Sequence, residues 1–168
     1  MSTKTLIRAA CTLIIIAATV VGVLLLQHRD SVLVAIKDDN WPRIKRHIDK
    51  IGHDHINDMI LVPRMHPTDG QAPLLVAAAY WSADAIVSRL LEAGADANAQ
   101  DAGGHTALYY AIINNDELSV RALLEKGADI NLGEGHSFWN RSLARAYAER
   151  MGNDNIIQAI LEYESRER

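Results

Sequence analysis

The sequence is poor in aromatic residues, which make up 5% of the chain. Sheet cores lean on aromatic and β-branched side chains, so this scarcity, set beside many alanines, points to packed helices. Cysteine is nearly absent. Cys11 stands alone, so no disulfide can form within the chain, and cysteine usage leaves the compartment open. Positive charge is not in excess: 17 basic side chains face 21 acidic ones, a net charge of −4, which argues against nucleic acid as a partner. There is no P-loop, no dinucleotide fingerprint and no nucleophile elbow. Ser31, Ser82, Ser88, Ser119, Ser137 and Ser142 have no recognisable base pattern beside them. The chain therefore reads as a non-enzyme without a cofactor, with an enzyme that uses its histidines as a remote alternative.

One long apolar run is present. Residues Ala9 to Leu26 read AACTLIIIAATVVGVLLL, with no charge. As a helix the run would be about 27 Å long, close to the ~30 Å hydrocarbon core of a bilayer. Lys4 and Arg8 precede it, as they would in a signal peptide, but its end at Leu26-Gln27-His28-Arg29 offers no small-residue cleavage site. The expectation is a signal-anchor helix over residues 9–27 with residues 1–8 on the cytoplasmic side. A cleaved signal is the alternative. The remaining 138 residues, 31–168, carry 14 basic and 20 acidic side chains, a mildly acidic globule.

That globule contains a repeat. Ala93-Gly94-Ala95-Asp96-Ala97-Asn98 returns as Lys126-Gly127-Ala128-Asp129-Ile130-Asn131, 33 residues later. Gly70-Gln71-Ala72-Pro73-Leu74 matches Gly104-His105-Thr106-Ala107-Leu108 at a spacing of 34, the extra residue being expected around Trp81-Ser82-Ala83. Each copy predicts two short helices. The first is rich in small residues, as in Ala77-Ala78-Ala79 and Ala111-Ile112-Ile113. The second is apolar along Leu118, Val120, Leu123 and Leu124. Asn114-Asn115-Asp116 suits the turn between them, and Gly127 suits a helix stop at positive φ. A helix pair of this size cannot bury its face alone, so copies must stack.

The unit resembles the ankyrin repeat, whose period is about 33 residues. The resemblance rests on Gly104-x-Thr106-Ala107-Leu108 with Ala111, on Leu123-Leu124-x-x-Gly127-Ala128-Asp129-x-Asn131, and on Leu90-Leu91-x-x-Gly94-Ala95-Asp96-x-Asn98. The family's Thr-Pro-Leu-His tetrapeptide is degraded to Ala72-Pro73-Leu74-Leu75 and Thr106-Ala107-Leu108-Tyr109, so its histidine is missing twice. The flanks read as degenerate end repeats. Ala35 to Asn40 aligns with Ala111 to Asp116, and Gly52 to Asn57 takes the Gly-Ala-Asp-x-Asn part with one extra residue. Ser142 to Ala146 aligns with Ala107 to Ala111, and Ile156, Ile157, Ile160 and Leu161 supply the last apolar face. The expected architecture is an all-α ankyrin solenoid after an N-terminal transmembrane helix. It divides into a degenerate repeat at 31–57, an extended finger loop at 58–69, clear repeats at 70–103 and 104–136, and a capping repeat at 137–168.

Two insertions lengthen the turns between repeats. One, around Asp58 to Pro67, holds Ile60, Leu61, Val62, Arg64 and Met65. The other, before Ser142, holds Phe138 and Trp139. In ankyrin proteins such fingers and the first helices form the recognition surface, so the resemblance implies a partner protein meeting Leu61, Arg64, Met65, Tyr80, His105, Tyr109, Tyr110, Phe138 and Trp139. The alternative for the apolar members is that they fold back to cap the core. Tyr109 replaces the tetrapeptide histidine and could be internal, which leaves Tyr110 and Trp139 as the plainer surface candidates.

His47, His53, His55 and His66 form a loose cluster, with His53 and His55 the weak candidates for a metal. They lack the cysteines and helical pairing of a structural site, and solvated histidines are the expectation. Lys37, Arg43, Lys45, Arg46 and Lys50 make the first unit basic, either as a solvated face balanced by Asp38, Asp39 and Asp49 or as a contact for anionic head groups. A short chain with one anchor resembles small bacterial ankyrin proteins. That resemblance implies inner-membrane attachment with the repeats in the periplasm, where such a protein would support an enzyme or confer immunity to a toxin. Self-association into a membrane scaffold is the alternative.

Overall fold

The computed structural model describes residues 32–62, 70–132 and 141–166, with only the backbone of 141–143. The proposed anchor at 9–27 lies outside these residues. Among those described, no helix is long and apolar enough to cross a membrane.

The described chain is a row of helix pairs. Residues 32–37 are helical (α1), followed by α2 (Trp41–Ile51), α3 (Leu74–Tyr80), α4 (Asp84–Glu92), α5 (Ala107–Ile113), α6 (Glu117–Glu125), α7 (Arg141–Met151) and α8 (Asp154–Arg166). The pairs stack in register: α3 packs on α5 and α5 on α7, while α4 packs on α6 and α6 on α8. Between α2 and α3 the chain makes a single 3₁₀ turn at His53–His55 and a short hairpin of β1 (Ile60–Leu61) with β2 (Gln71–Ala72). Ile60 stands opposite Ala72, and Leu61 opposite Gln71. Gly70 has φ +61°, and a Cβ there would come within 2.6 Å of the Val62 carbonyl oxygen. Only glycine fits that crossing, where Val62 N–H donates to the Gly70 carbonyl.

The four pairs share one turn. Asn40 N–H donates to Ala35 O, Ala83 to Ala78, Asp116 to Ala111 and Asn153 to Ala148. In each, the residue before the donor has positive φ: Asp39, Ser82, Asn115 and Gly152. This is the six-to-one closure of a helix ending in a left-handed residue. Asn and Asp tolerate that conformation, and Ser82 adopts it here without glycine's freedom. The residue after it opens the second helix. Asn40, Asp116 and Asn153 cap it by accepting the backbone N–H three residues on, from Arg43, Ser119 and Ile156.

This shared turn corrects three details of the repeat reading. First, the last unit aligns through Ala148, not Ala146. Ala148 is buried and Ala146 exposed, so the register moves by two residues. Second, Trp81-Ser82-Ala83 has the geometry of Asn114-Asn115-Asp116 at a spacing of 33, so it holds no extra residue. The first helical bonds, Ala77 N–H to Pro73 O and Tyr110 N–H to Thr106 O, are also 33 apart. The extra residue therefore lies between Gly70 and Pro73, at the step from finger to helix. Third, Leu118 is 62% exposed, so the buried face of α6 is Ser119, Val120, Leu123 and Leu124. Leu161 is likewise exposed, whereas Ile156 and Ile160 are fully buried.

Burial runs continuously through the stack. Leu74 to Ala79 are all buried, because the alanines let α3 approach its neighbours on two sides. Ile36, Ile44, Ile48, Leu90, Leu108, Ile112, Leu123, Ile130 and Ile156 fill the space between pairs. Arg89 on α4 lies 5.8 Å from the Trp41 ring centroid on α2, a cation–π contact across two units. Truncating Leu123, wholly buried, to Ala is expected to lower stability by about 2–5 kcal/mol. Truncating the neighbouring Leu118 should cost less than about 0.5 kcal/mol. Denaturant titration of both variants checks the register: equal effects would reject it.

Candidate binding surface

The joint between the second and third helix pairs is organised by one carboxylate. Asp101 is buried, its side chain fully so. Oδ1 accepts the backbone N–H of Gly103 at 2.8 Å and of His105 at 2.9 Å, which closes the turn ahead of α5. The His105 Nδ1 is 3.3 Å from the same oxygen. Oδ2 accepts the Tyr110 hydroxyl at 2.8 Å. A buried charge is tolerable only when its lone pairs are met this fully. Here the arrangement ties a finger turn to the first helix that follows it. The repeat reading did not single out Asp101, although its place three residues before Gly104 was a legible signal.

Above this network lie stacked rings. Tyr80 and Tyr110 meet edge to face with centroids 5.3 Å apart, Tyr109 and Tyr110 at 5.2 Å, and Tyr80 and Trp81 at 5.9 Å. His105 tilts over Tyr109 at 4.5 Å. Lys37 sits 4.7 Å from the Trp81 centroid. Edge-to-face pairs of this kind fix ring orientation beyond what area burial does. Tyr80, Trp81 and Tyr109 are partly buried, while His105 and Tyr110 are buried. The ring at the tetrapeptide histidine position, Tyr109, is thus the one that reaches the surface, and Tyr110 is the internal one. Trp81 joins the group because the helix-ending turn carries it there, a placement the repeat reading did not assign.

The other candidates are separate. Leu61 lies on β1 beside an opening of about 570 Å³ between α2 and the hairpin, lined also by Ile51, Met59, Ile60 and Leu74. Arg64, Met65, Phe138 and Trp139 lie outside the described residues. His55 Nδ1 is 2.8 Å from Asp58 Oδ2 on the exposed side of the 3₁₀ turn, and His53 is exposed. Among the described residues, no three His, Cys, Asp or Glu side chains converge as metal ligands would. His66 lies outside them.

Asparagines stitch neighbouring units together. Asn57 accepts from Asp96 N–H at 2.9 Å, and Asn98 accepts from Asp129 N–H at 2.7 Å while donating to Gly127 O at 3.2 Å. Asn114 donates to the carbonyls of Ala79 and Tyr80, at 3.1 and 3.0 Å. Asn153 donates to Asn115 at 3.0 Å. The last bond of Asn114 holds Tyr80 in the aromatic row.

Burial, and then the hydroxyl's bond to the Asp101 carboxylate, hold the Tyr110 phenol protonated far above its ordinary range. Because the folded value is raised, the contribution is whole below about pH 10, where both states are protonated, and is lost as pH rises above it. Tyr110→Phe leaves Asp101 Oδ2 without that donor and should cost about 1–3 kcal/mol at neutral pH. In a spectrophotometric titration one tyrosine, lost on Tyr110→Phe, should stay protonated well above pH 10 while the fold is intact. Ionisation of every tyrosine near pH 10 with the fold intact would contradict the arrangement.

Comparison with known proteins agrees with the architecture. The family described as ankyrin repeats (3 copies) matches residues 33–134. The mitochondrial disaggregase of Bos taurus is 53% identical over 51 residues, which is 30% of this chain and 8% of that protein. The human disaggregase is 46% identical over 71 residues, 42% of this chain and 10% of the relative. Rabankyrin-5 of Mus musculus is 34% identical over 98 residues, 58% of this chain and 8% of the relative. The chain thus spans a tenth or less of the length of these curated relatives. With three-copy coverage from α1 to the end of the third unit, and the stacked helix pairs and fingers described above, the chain belongs to the ankyrin repeat family.

Proposed function

We propose that this ankyrin domain is a non-catalytic module that binds one partner protein, with the row Tyr80, Trp81 and Tyr109 as its centre. The observation that supports this is the partial exposure of three large rings that pack, directly or through one another, on Tyr110, whose hydroxyl is held by Asp101. Such rings are preorganised, so little side-chain entropy is lost when a partner covers them. Tyrosine and tryptophan are also the types that most often dominate binding energy. The finger residues Leu61, Arg64, Met65, Phe138 and Trp139 extend the same proposal to the loops, as ankyrin recognition does. The domain acts from the membrane, anchored once through residues 9–27 and held on the periplasmic side, where it supports or restrains its partner. The charges beside the apolar run do not set that orientation, since Lys4 and Arg8 are matched by Arg29 and Lys37, with Arg43, Lys45 and Arg46 further on. The periplasmic side rests on the resemblance to small anchored ankyrin proteins.

Two measurements test the parts separately. With the captured partner purified, Tyr109→Ala should weaken binding about tenfold or more, equivalent to roughly 1–2 kcal/mol, while the circular dichroism spectrum is unchanged. Wild-type affinity in both Tyr109→Ala and Tyr80→Ala would remove the aromatic row from the interface. For topology, alkaline phosphatase fused after Arg168 should be active. An inactive, full-length fusion would put the domain in the cytoplasm.

A further inference from the structure

The charge of the domain is segregated along its length, and the basic part is concentrated on α2. Arg43, Arg46 and Lys50 are spaced three and four residues apart, so they share one line of the helix, opposite the buried Ile44 and Ile48. All three are exposed. Among the described residues none of them lies within ion-pair distance of a carboxylate. Asp49, exposed, borders the stripe three residues after Arg46 and four after Lys45 without an ion-pair contact to either, and Asp38, Asp39 and Asp54 lie in the turns before and after the helix. Residues 57–168, by contrast, hold nine basic and sixteen acidic side chains. Folding therefore leaves a cationic stripe about 10 Å long at the N-terminal end of an acidic solenoid.

The position of this stripe identifies what it faces. The apolar run ends at Leu26, and α1 is helical from residue 32. Five intervening residues span at most about 18 Å even fully extended. The polar head-group layer itself adds roughly 5–8 Å beyond the hydrocarbon edge. With that anchor in the bilayer, the first helix pair is confined to the neighbourhood of the lipid surface, whichever way the later pairs lean.

We infer that the Arg43–Arg46–Lys50 stripe of α2 docks on anionic phospholipid head groups and orients the ankyrin domain with its acidic units pointing away from the bilayer. The inference rests on the anchor proposed above. Attraction of the stripe and repulsion of the acidic remainder act in the same sense, so an anionic surface selects one tilt of the solenoid. The aromatic row then faces the compartment at a fixed height rather than sampling all orientations.

The full chain, reconstituted in vesicles, tests this with an amine-reactive label read by mass spectrometry. Lys50 is the probe, and Lys126, exposed at the end of α6, is the internal reference. The ratio of their labelling rates is independent of which way the chain inserts. Replacing about 30% of phosphatidylcholine by phosphatidylglycerol should lower that ratio about threefold or more. Roughly 0.5 M salt should restore it, and so should the double substitution Arg43→Glu/Arg46→Glu. The exposure of both side chains makes that variant compatible with folding, and circular dichroism checks it. A ratio that is the same in both lipids overturns the inference, and so does one equally low in both, which would mark a contact between protein copies. Resistance to alkaline carbonate extraction reads the anchor independently. A chain that stays in the vesicles with an unchanged ratio overturns the stripe alone, and a chain that washes off overturns the anchor and the stripe with it.

Discussion

The helices α3 and α5 have seven residues each, and α4 and α6 have nine. Helices this short do not persist alone in water. Each exists because neighbours on both sides remove its apolar face from solvent, and because the polar groups at its ends find partners in the next unit. The alanines of α3 answer the first need by permitting close approach. Asn114 answers the second by donating to the carbonyls that end α3, and Asn57 and Asn98 tie the turns after α4 and α6 to the unit before. Stability in such a stack is a sum of unit and interface contributions, which is why a side chain at an interface, such as Leu123, matters beyond its own helix.

The same economy shapes the surface. Asp101 serves the finger turn, the start of α5 and the Tyr110 ring at once. Its burial is tolerated because two backbone N–H groups, a hydroxyl and an imidazole surround it. The consequence is that Tyr110 is fixed by its hydroxyl, and Tyr80 and Tyr109 pack edge to face against it. Rings held in this way can present a face to a partner while keeping their orientation. The cationic stripe of α2 lies at the other end of the described solenoid from α8.

Most of the architecture was readable from period and punctuation. The glycines at 94 and 127, the Asp-x-Asn pairs after them and the apolar second helices identify stacked helix pairs. The turn at Asp38-Asp39-Asn40 was legible from its likeness to Asn114-Asn115-Asp116. The register of the last unit was not, because Ala144, Ala146 and Ala148 are all alanine and small residues carry little positional information. Leu118 was grouped with Val120, Leu123 and Leu124 as one apolar helix face, but at about 100° per residue it falls on the opposite side of the helix from them and is exposed.

The sequence by itself determined the repeat, its helix pairs and the acidic surface, since periodicity, turn chemistry and charge are local properties. Only the tertiary structure decided which aromatic rings face outward. Tyr109 and Tyr110 are adjacent and chemically identical, and the tetrapeptide position, which separates them, pointed Tyr109 rather than Tyr110 inward. Their fates differ because a carboxylate nine residues before Tyr110 is buried within reach of its hydroxyl alone, and burying that charge draws one ring inward while its neighbour is left on the rim.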